Sequence, residues 1–179
     1  MKQEIKLTGS GGQGLILAGV ILAEAAILDG KQAIQSQSYG PEARGGSSKA
    51  EVIISDSDID FTKVQDCDLL LCLTQDACDK YGKKPSKVII LDERLELKYD
   101  KHERVIKLPI LDTTLEKLRK PMVSNIVALG AINGLLDLVT KESLLEAVLD
   151  RVPRGTDELN KRALETGYEL AQLFCTTPP

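Results

Sequence analysis

Two glycine-centred stretches carry the residue types best suited to holding a charged group. The first, Gly9-Ser10-Gly11-Gly12-Gln13-Gly14, has the GxGxxG spacing. Its glycines let the chain turn tightly and bring backbone amides up to a phosphate, and a following helix adds positive potential through its dipole. The same spacing also serves as a bare turn between a strand and a helix, so the motif alone leaves both readings open. A P-loop is excluded, because no Gly-Lys-Ser/Thr follows. A nicotinamide site meets a specific obstacle. Such folds place an Asp or Glu about 20 residues on, at the end of the second strand, to hold the ribose. Here that strand ends Gln35-Ser36-Gln37-Ser38, and Asp29, near the right count, belongs to the turn before it. A different phosphate-bearing group, or the backbone of a partner, remains.

The second stretch is Tyr39-Gly40-Pro41-Glu42-Ala43-Arg44-Gly45-Gly46. It is either a surface turn with Glu42 and Arg44 solvated, or a binding loop. Gly45 and Gly46 leave space beside the Arg44 guanidinium for an anion or another backbone. The loop also follows a strand, on the edge where open α/β sheets bind ligands. Other chemistry is scarce. Cys67, Cys72, Cys78 and Cys175 form no CxxC pair and no ferredoxin-like run, and the first three read as core thiols. His102 lies in the charged run Tyr99-Asp100-Lys101-His102-Glu103-Arg104 and is expected to be solvated. Asp56-Ser57-Asp58-Ile59-Asp60 lacks the closing Glu of a calcium loop, so no metal site is expected.

The elements that must position these loops follow from patterning. Glu4 to Thr8 alternates like a strand and runs into the first glycine loop. Leu15 to Leu28 is apolar nearly all round, which predicts a buried helix, stopped at Asp29-Gly30. Further strands are predicted over Gln32 to Ser38, Lys49 to Ser55, Leu69 to Leu73, Lys87 to Leu91 and Arg104 to Leu108, with a short helix from Gln75 to Tyr81. From residue 121 the pattern is helical only. Pro121 opens a helix over Met122 to Val139, Thr140 caps one over Lys141 to Val152, and Thr156 starts one reaching Phe174. Asn125 and Asn133, eight residues apart on the first of these, need partners: they either cap neighbouring backbone or line a subunit contact. Gly130 and Gly134 on that helix admit close packing. The expected fold is an α/β three-layer Rossmann-like sandwich, with a mostly parallel, mixed sheet and a helical C-terminal part over residues 121–174 of one domain spanning 1–179.

Composition bounds the function classes. The chain has 179 residues and a net charge of −4, with 3% aromatics and no tryptophan, which argues against nucleic-acid binding. Met1-Lys2-Gln3-Glu4 leads into a strand-like run rather than an apolar signal segment, and Leu15 to Leu28 falls short of the ~20 residues that span a bilayer. Free thiols suit a reducing cytoplasm.

Taken together, the motifs resemble one family. Gly9 to Gly14 with its Leu/Ala-rich helix, Gln37-Ser38-Tyr39-Gly40-Pro41-Glu42-Ala43-Arg44-Gly45-Gly46, Glu51-Val52-Ile53-Ile54-Ser55-Asp56, and Asn125 with Ala128-Leu129-Gly130-Ala131 are similar to the gamma subunit (domain III) of the 2-oxoacid:ferredoxin oxidoreductases. The resemblance runs from about residue 4 to 174. It implies a component of an enzyme that decarboxylates a 2-oxoacid on thiamine diphosphate and Mg, passes electrons through iron–sulfur clusters to ferredoxin, and forms an acyl-coenzyme A. It also implies that those cofactors sit in alpha and beta (or small ferredoxin-like delta) subunits, and that this chain binds none alone and has no catalytic residue of its own. Gly9, Ser10, Gly11, Gly12, Gln13 and Gly14 would meet a coenzyme A phosphate or a partner backbone. Tyr39, Gly40, Pro41, Glu42, Arg44, Gly45, Gly46 and Asn125 would lie at the interface, with Arg44 at the active-site edge. Ala43, where the pyruvate type tends to carry a second arginine, points to the 2-oxoglutarate type. A free-standing nicotinamide reductase, a stand-alone coenzyme A- or nucleotide-binding protein, and the pyruvate or indolepyruvate branch are the alternatives.

Overall fold

In a computed structural model, residues 1–37 and 46–176 are described. The chain order is β1 (Lys2–Ser10), α1 (Leu15–Leu28), β2 (Gln32–Gln37), β3 (Ser47–Ser55), β4 (Leu69–Cys72), α2 (Gln75–Tyr81), β5 (Val88–Asp92), β6 (Arg104–Leu108), α3 (Ile110–Leu118), a 3-10 turn (Pro121–Val123), α4 (Ser124–Leu136), α5 (Lys141–Arg151) and α6 (Asp157–Thr176). The six strands form one sheet in the order β2-β3-β1-β4-β5-β6. β1, β4, β5 and β6 pair in parallel. β3 runs antiparallel between β1 and β2, so β2 points the same way as β1 but does not touch it.

Alternation along the strands sorts the two faces. Ile5 and Leu7 of β1, with Ala50, Val52 and Ile54 of β3, Leu69 and Leu71 of β4, Ile90 of β5 and Ile106 of β6, face α1 and the C-terminal helices in one large core. On the other face, Leu70, Cys72, Ile89 and Leu91 meet Cys78 of α2 and Leu95 in a smaller one. The sandwich is therefore three-layered but lopsided. Two acids on the thin face are held by specific partners. Glu4, 5% exposed, accepts from the Gln65 and Asp66 amides at 2.5 and 3.0 Å, and Glu51, 6% exposed, pairs with Lys49 at 2.8 Å.

α1 is apolar all round because it is covered on several sides: it packs on β2 and β3 beneath and against α5 and α4. Burying each Leu or Ile there contributes about 1.5–3 kcal/mol. Only its far end, Ile27 and Leu28, is exposed. The C-terminal helices share the core of the sheet and α1. α4 and α6 approach most closely where glycines meet: a Cβ on Gly130 would lie 2.2 Å from the Leu164 carbonyl, and one on Gly167 would lie 2.1 Å from that of Val127. Gly134, as expected from the sequence, also sits against α6.

Three expectations change. The helical part begins at Ile110 rather than at residue 121, because α3 is capped from a distance and carries no local cap of its own. The helix expected over Met122 to Val139 is a 3-10 turn followed by α4, and it stops at Leu136, where Asp137 adopts a left-handed φ of 50°. His102 is not solvated. Its charged neighbours point outward, while the ring, 9% exposed, tucks in with Nδ1 2.7 Å from the Ser86 hydroxyl and Nε2 3.2 Å from the Gly82 carbonyl.

Candidate functional site

The carboxyl ends of the parallel strands carry the features of interest. β1 delivers the glycine loop, and β4 delivers Thr74, whose hydroxyl accepts from the Ala77 amide at the start of α2. β1 leads to a helix on one face of the sheet and the neighbouring β4 to a helix on the other. This divergence opens a crevice between adjacent strands, the position where open α/β sheets take ligands.

Each glycine-loop residue has a definite place. The Gln13 side chain folds back so that its Oε1 accepts the Ser10 amide at 2.8 Å, and the Gln13 amide donates to the Ser10 carbonyl at 3.3 Å. A Cβ on Gly9 would fall 2.2 Å from that Oε1, so a larger residue there would displace the Gln13 side chain from its place in the loop. Gly12 and Gly14 have φ of 87° and 71°, in the left-handed region. Gly14 is held from across the core: Asn125, 4% exposed near the start of α4, donates from Nδ2 to its carbonyl at 3.0 Å, while Asn125 Oδ1 accepts the Ile126 amide at 2.9 Å. Asn125 thus caps backbone and joins the first turns of α1 and α4.

The second loop is joined to the first. The Gly11 amide donates to the Gly46 carbonyl at 3.4 Å, and Gly9 and Ser10 pair with Ser48 and Ser47. Of the loop residues singled out in the sequence, Gly46 is described; Tyr39, Gly40, Pro41, Glu42, Arg44 and Gly45 lie outside the described residues.

Sequence reasoning passed over Arg94, Asp92 and Ser124. Asp92, fully buried at the end of β5, accepts the Leu111 amide at 2.8 Å with Oδ2 and the Arg94 amide at 3.2 Å with Oδ1. It therefore caps α3 from another strand. Arg94, half-exposed, reaches Asp92 Oδ1 from Nε at 3.4 Å and Asp112 Oδ1 from Nη2 at 3.1 Å. A cavity of about 480 Å³ opens beside it, lined by Gly12, Gln13, Arg94, Leu115, Met122 and Ser124 among others. A second, of about 210 Å³, shares Gly12 and Met122 and runs along Leu17, Asn125 and Leu159. Apolar walls with a few polar groups are the usual make-up of a small-molecule site. The signal available in the sequence was position: Asp92 and Arg94 directly follow a predicted strand.

Asp29 lies at the opposite end of α1, about 21 Å away at 1.5 Å per residue. Its carboxylate accepts from the Thr140 amide at 2.6 Å and the Thr140 hydroxyl at 2.7 Å. It cannot serve as a ribose acid for the glycine loop, which removes the nicotinamide reading's remaining candidate. Among the cysteines, Cys72 and Cys78 are buried. Burial pushes the Cys67 thiol up to about 12, and the neighbouring Cys78 thiol together with burial also raises Cys72. Cys72 and Cys78 belong to the smaller core, and Cys67 packs against it. Among the described residues no group of His, Cys, Asp or Glu is arranged to hold a metal ion, and no helix is long and apolar enough to cross a membrane.

Comparison with known proteins decides the family. The model for pyruvate ferredoxin/flavodoxin oxidoreductase matches residues 4–170. The chain belongs to that family. Within it, the chain is a gamma subunit of a 2-oxoacid:ferredoxin oxidoreductase, an enzyme that works as a complex. It is 51% identical to the 2-oxoglutarate synthase subunit KorC of Methanocaldococcus jannaschii, over 96% of this chain and 95% of that one. It is 50% identical to the keto/oxoacid ferredoxin oxidoreductase gamma subunit of Geobacter sulfurreducens, with a TM-score of 0.84 over 96% of this chain and 99% of the other. The same fold recurs, at 22% identity and a TM-score of 0.85, within the 2-oxoglutarate:ferredoxin oxidoreductase of Magnetococcus marinus, solved with 2-oxoglutarate, coenzyme A and succinyl-CoA bound; it covers 99% of this chain and 32% of that one.

Proposed function

We propose that this gamma subunit serves a complex of the 2-oxoglutarate type, turning 2-oxoglutarate and coenzyme A into succinyl-CoA, CO2 and reduced ferredoxin in the cytoplasm. Its part is to complete a coenzyme A site and to dock the subunits that carry thiamine diphosphate, Mg and the iron–sulfur clusters. Identity to KorC and the Ala43 position support the 2-oxoglutarate branch.

The observation that carries the reading is the hydrogen bond from Gly11 to Gly46, which ties the last residue of the second motif to the glycine loop, itself beside an open cavity. On this reading the Gly12 amide and its neighbours meet a phosphate or a partner's backbone. Arg44, Tyr39, Pro41 and Glu42 face the alpha or beta subunit, and Asn125 sets the loop from behind. No step of bond making falls to this chain.

The test is Arg44→Ala in the assembled complex. Turnover should fall, or the KM for coenzyme A rise, while the melting temperature of this subunit stays unchanged. Unaltered kcat and KM would remove Arg44 from the site.

A further inference from the structure

The thin face of the sheet carries a thiol pair that the two glycine-centred loops leave unused. Cys72 ends β4, Cys78 lies in α2, and both sit in the smaller core, 0% and 1% exposed. The two side chains meet in a hydrogen bond, the Cys72 thiol donating to Cys78 Sγ. Each sulfur is also held from its other side. The Thr8 hydroxyl lies 3.5 Å from Cys72 Sγ, and Cys78 Sγ lies 3.8 Å from the Glu96 carbonyl. Two thiols fixed within hydrogen-bond reach, one on a strand and one on the helix over it, need only a small closing movement to become a disulfide. The sulfurs are not equivalent. The bond from Cys72, helped by Lys107 and Lys98, holds the Cys78 thiol below the usual range against the opposing effect of burial, while Cys72 is pushed up by the same bond and by burial. Cys78 is therefore the nucleophile of the pair, and Cys72 keeps its proton. The cover over Cys78 is thin. Between Asp92 and Arg104 the chain forms neither helix nor strand. Its residues 93–98 are tied to α2 by the Gln75 carboxamide, bonded to the Glu96 carbonyl and amide at 2.9 Å each, and by the Lys98–Asp79 ion pair. A cover held by a few side-chain bonds opens locally at less cost than the sheet beneath it, and such opening admits a water-sized oxidant.

We propose that Cys78 is a site of oxidation by hydrogen peroxide, and that Cys72 resolves the product as a reversible disulfide within the chain. The Cys78 thiolate attacks one peroxide oxygen and the O–O bond breaks, leaving a sulfenic acid, Cys78 S–OH, and hydroxide. The Cys72 sulfur then bonds to Cys78 Sγ, the S–O bond breaks, and the departing hydroxide takes the Cys72 proton to become water. Two electrons pass from the sulfurs to the peroxide, and a thiol reductant returns two electrons and two protons. Early closure of the disulfide keeps Cys78 from the sulfinic acid, which thiols do not restore. Cys67 is set apart, its thiol pushed up to about 12 by burial and donating to the Leu69 carbonyl at 3.1 Å.

The experiment exposes the assembled complex, kept free of oxygen, briefly to hydrogen peroxide, denatures it in N-ethylmaleimide and maps the peptides of this subunit. Cleavage before Asp66, Asp68, Asp76 and Asp79 places Cys67, Cys72 and Cys78 in separate peptides. The peptides of Cys72 and Cys78 should be found joined, should lose maleimide labelling together, and should regain it after dithiothreitol. In Cys72→Ser the cross-link should be lost, while dimedone, a sulfenic-acid trap, labels Cys78. In Cys78→Ser, Cys72 should be neither trapped nor cross-linked. Mapping of the unaltered chain is decisive by itself, so the test holds even where a serine in this core impairs folding. The proposal is overturned if Cys72 and Cys78 keep full maleimide labelling at peroxide levels that oxidise the exposed Cys175. It is equally overturned if Cys72 is found joined to Cys67, or if Cys78→Ser leaves Cys72 oxidised at the native rate.

Discussion

Two buried asparagines show how much a single side chain can fix. Asn125 ties the glycine loop to α4, and Asn133 closes the end of α4 by donating to the Val139 carbonyl and accepting the Val139 amide at 2.9 and 3.0 Å, with the Tyr168 hydroxyl as a further partner. Replacing Asn133 by Leu strands a buried amide and carbonyl, and should cost about 1–3 kcal/mol in chemical denaturation. The sequence marked both residues as polar groups on an apolar helix, so their need for partners was legible; which groups across the fold would meet them, the Gly14 carbonyl for Asn125 and Val139 with Tyr168 for Asn133, was not. His102 misled for the converse reason. Its neighbours are charged, but its ring faces inward. Burial lowers its pKa below the usual 6.5, with the Gly82 carbonyl and Asp100 pulling it back only in part. The sign follows: as pH drops below that usual value the unfolded chain takes up a proton that the folded chain resists, so stability decreases until the folded-state group itself titrates. Equilibrium unfolding between about pH 7.5 and about pH 5.5 should show this loss, and His102→Gln should flatten it.

Among elements, strands β1 to β6 and helices α1, α5 and α6 were legible within a few residues, because period, apolar runs and the Thr140 cap are local signals. Thr140 accepts the Ser143 amide as expected, and Asp29 reinforces that start from the end of α1. Partial burial works to raise the Asp29 carboxyl, but hydrogen bonds from Ser143 and Thr140 outweigh it and hold it below the usual carboxylate range. Asp29→Ala should therefore destabilise the α1–α5 junction by about 1 kcal/mol, the usual weight of a helix-cap interaction, and the difference should fade as the medium becomes acidic enough to protonate the native carboxylate. Helix α3 was invisible, since its cap, Asp92, arrives from the end of β5. Between α4 and α6 the constraint is space. Gly167→Ala places a methyl against the Val127 carbonyl and should cost about 1–3 kcal/mol by overpacking, read as a lower denaturation midpoint with the same slope.

At the scale of the molecule, the layered α/β class was readable from the order of strands and helices, but the position of β3 was not. Its antiparallel insertion between β2 and β1 depends on pairing over distance, and it is what carries Gly46 to the glycine loop. Arg94, just after β5, and Ser124, at the start of α4, meet that loop only once the sheet and its helices have assembled, so no spacing in the sequence could have joined them. The family resemblance accounts for the two loops, while the cavity between them and α4 comes from packing alone. On the proposed reading, the glycine loop and the loop behind it are completed by other subunits. Amide hydrogen exchange over Gly9–Gly14 tests that claim most directly, compared in the isolated subunit, the assembled complex, and the complex with saturating coenzyme A. The account predicts rising protection of these amides on assembly and again on adding the coenzyme. Equal exchange rates in all three states would contradict it.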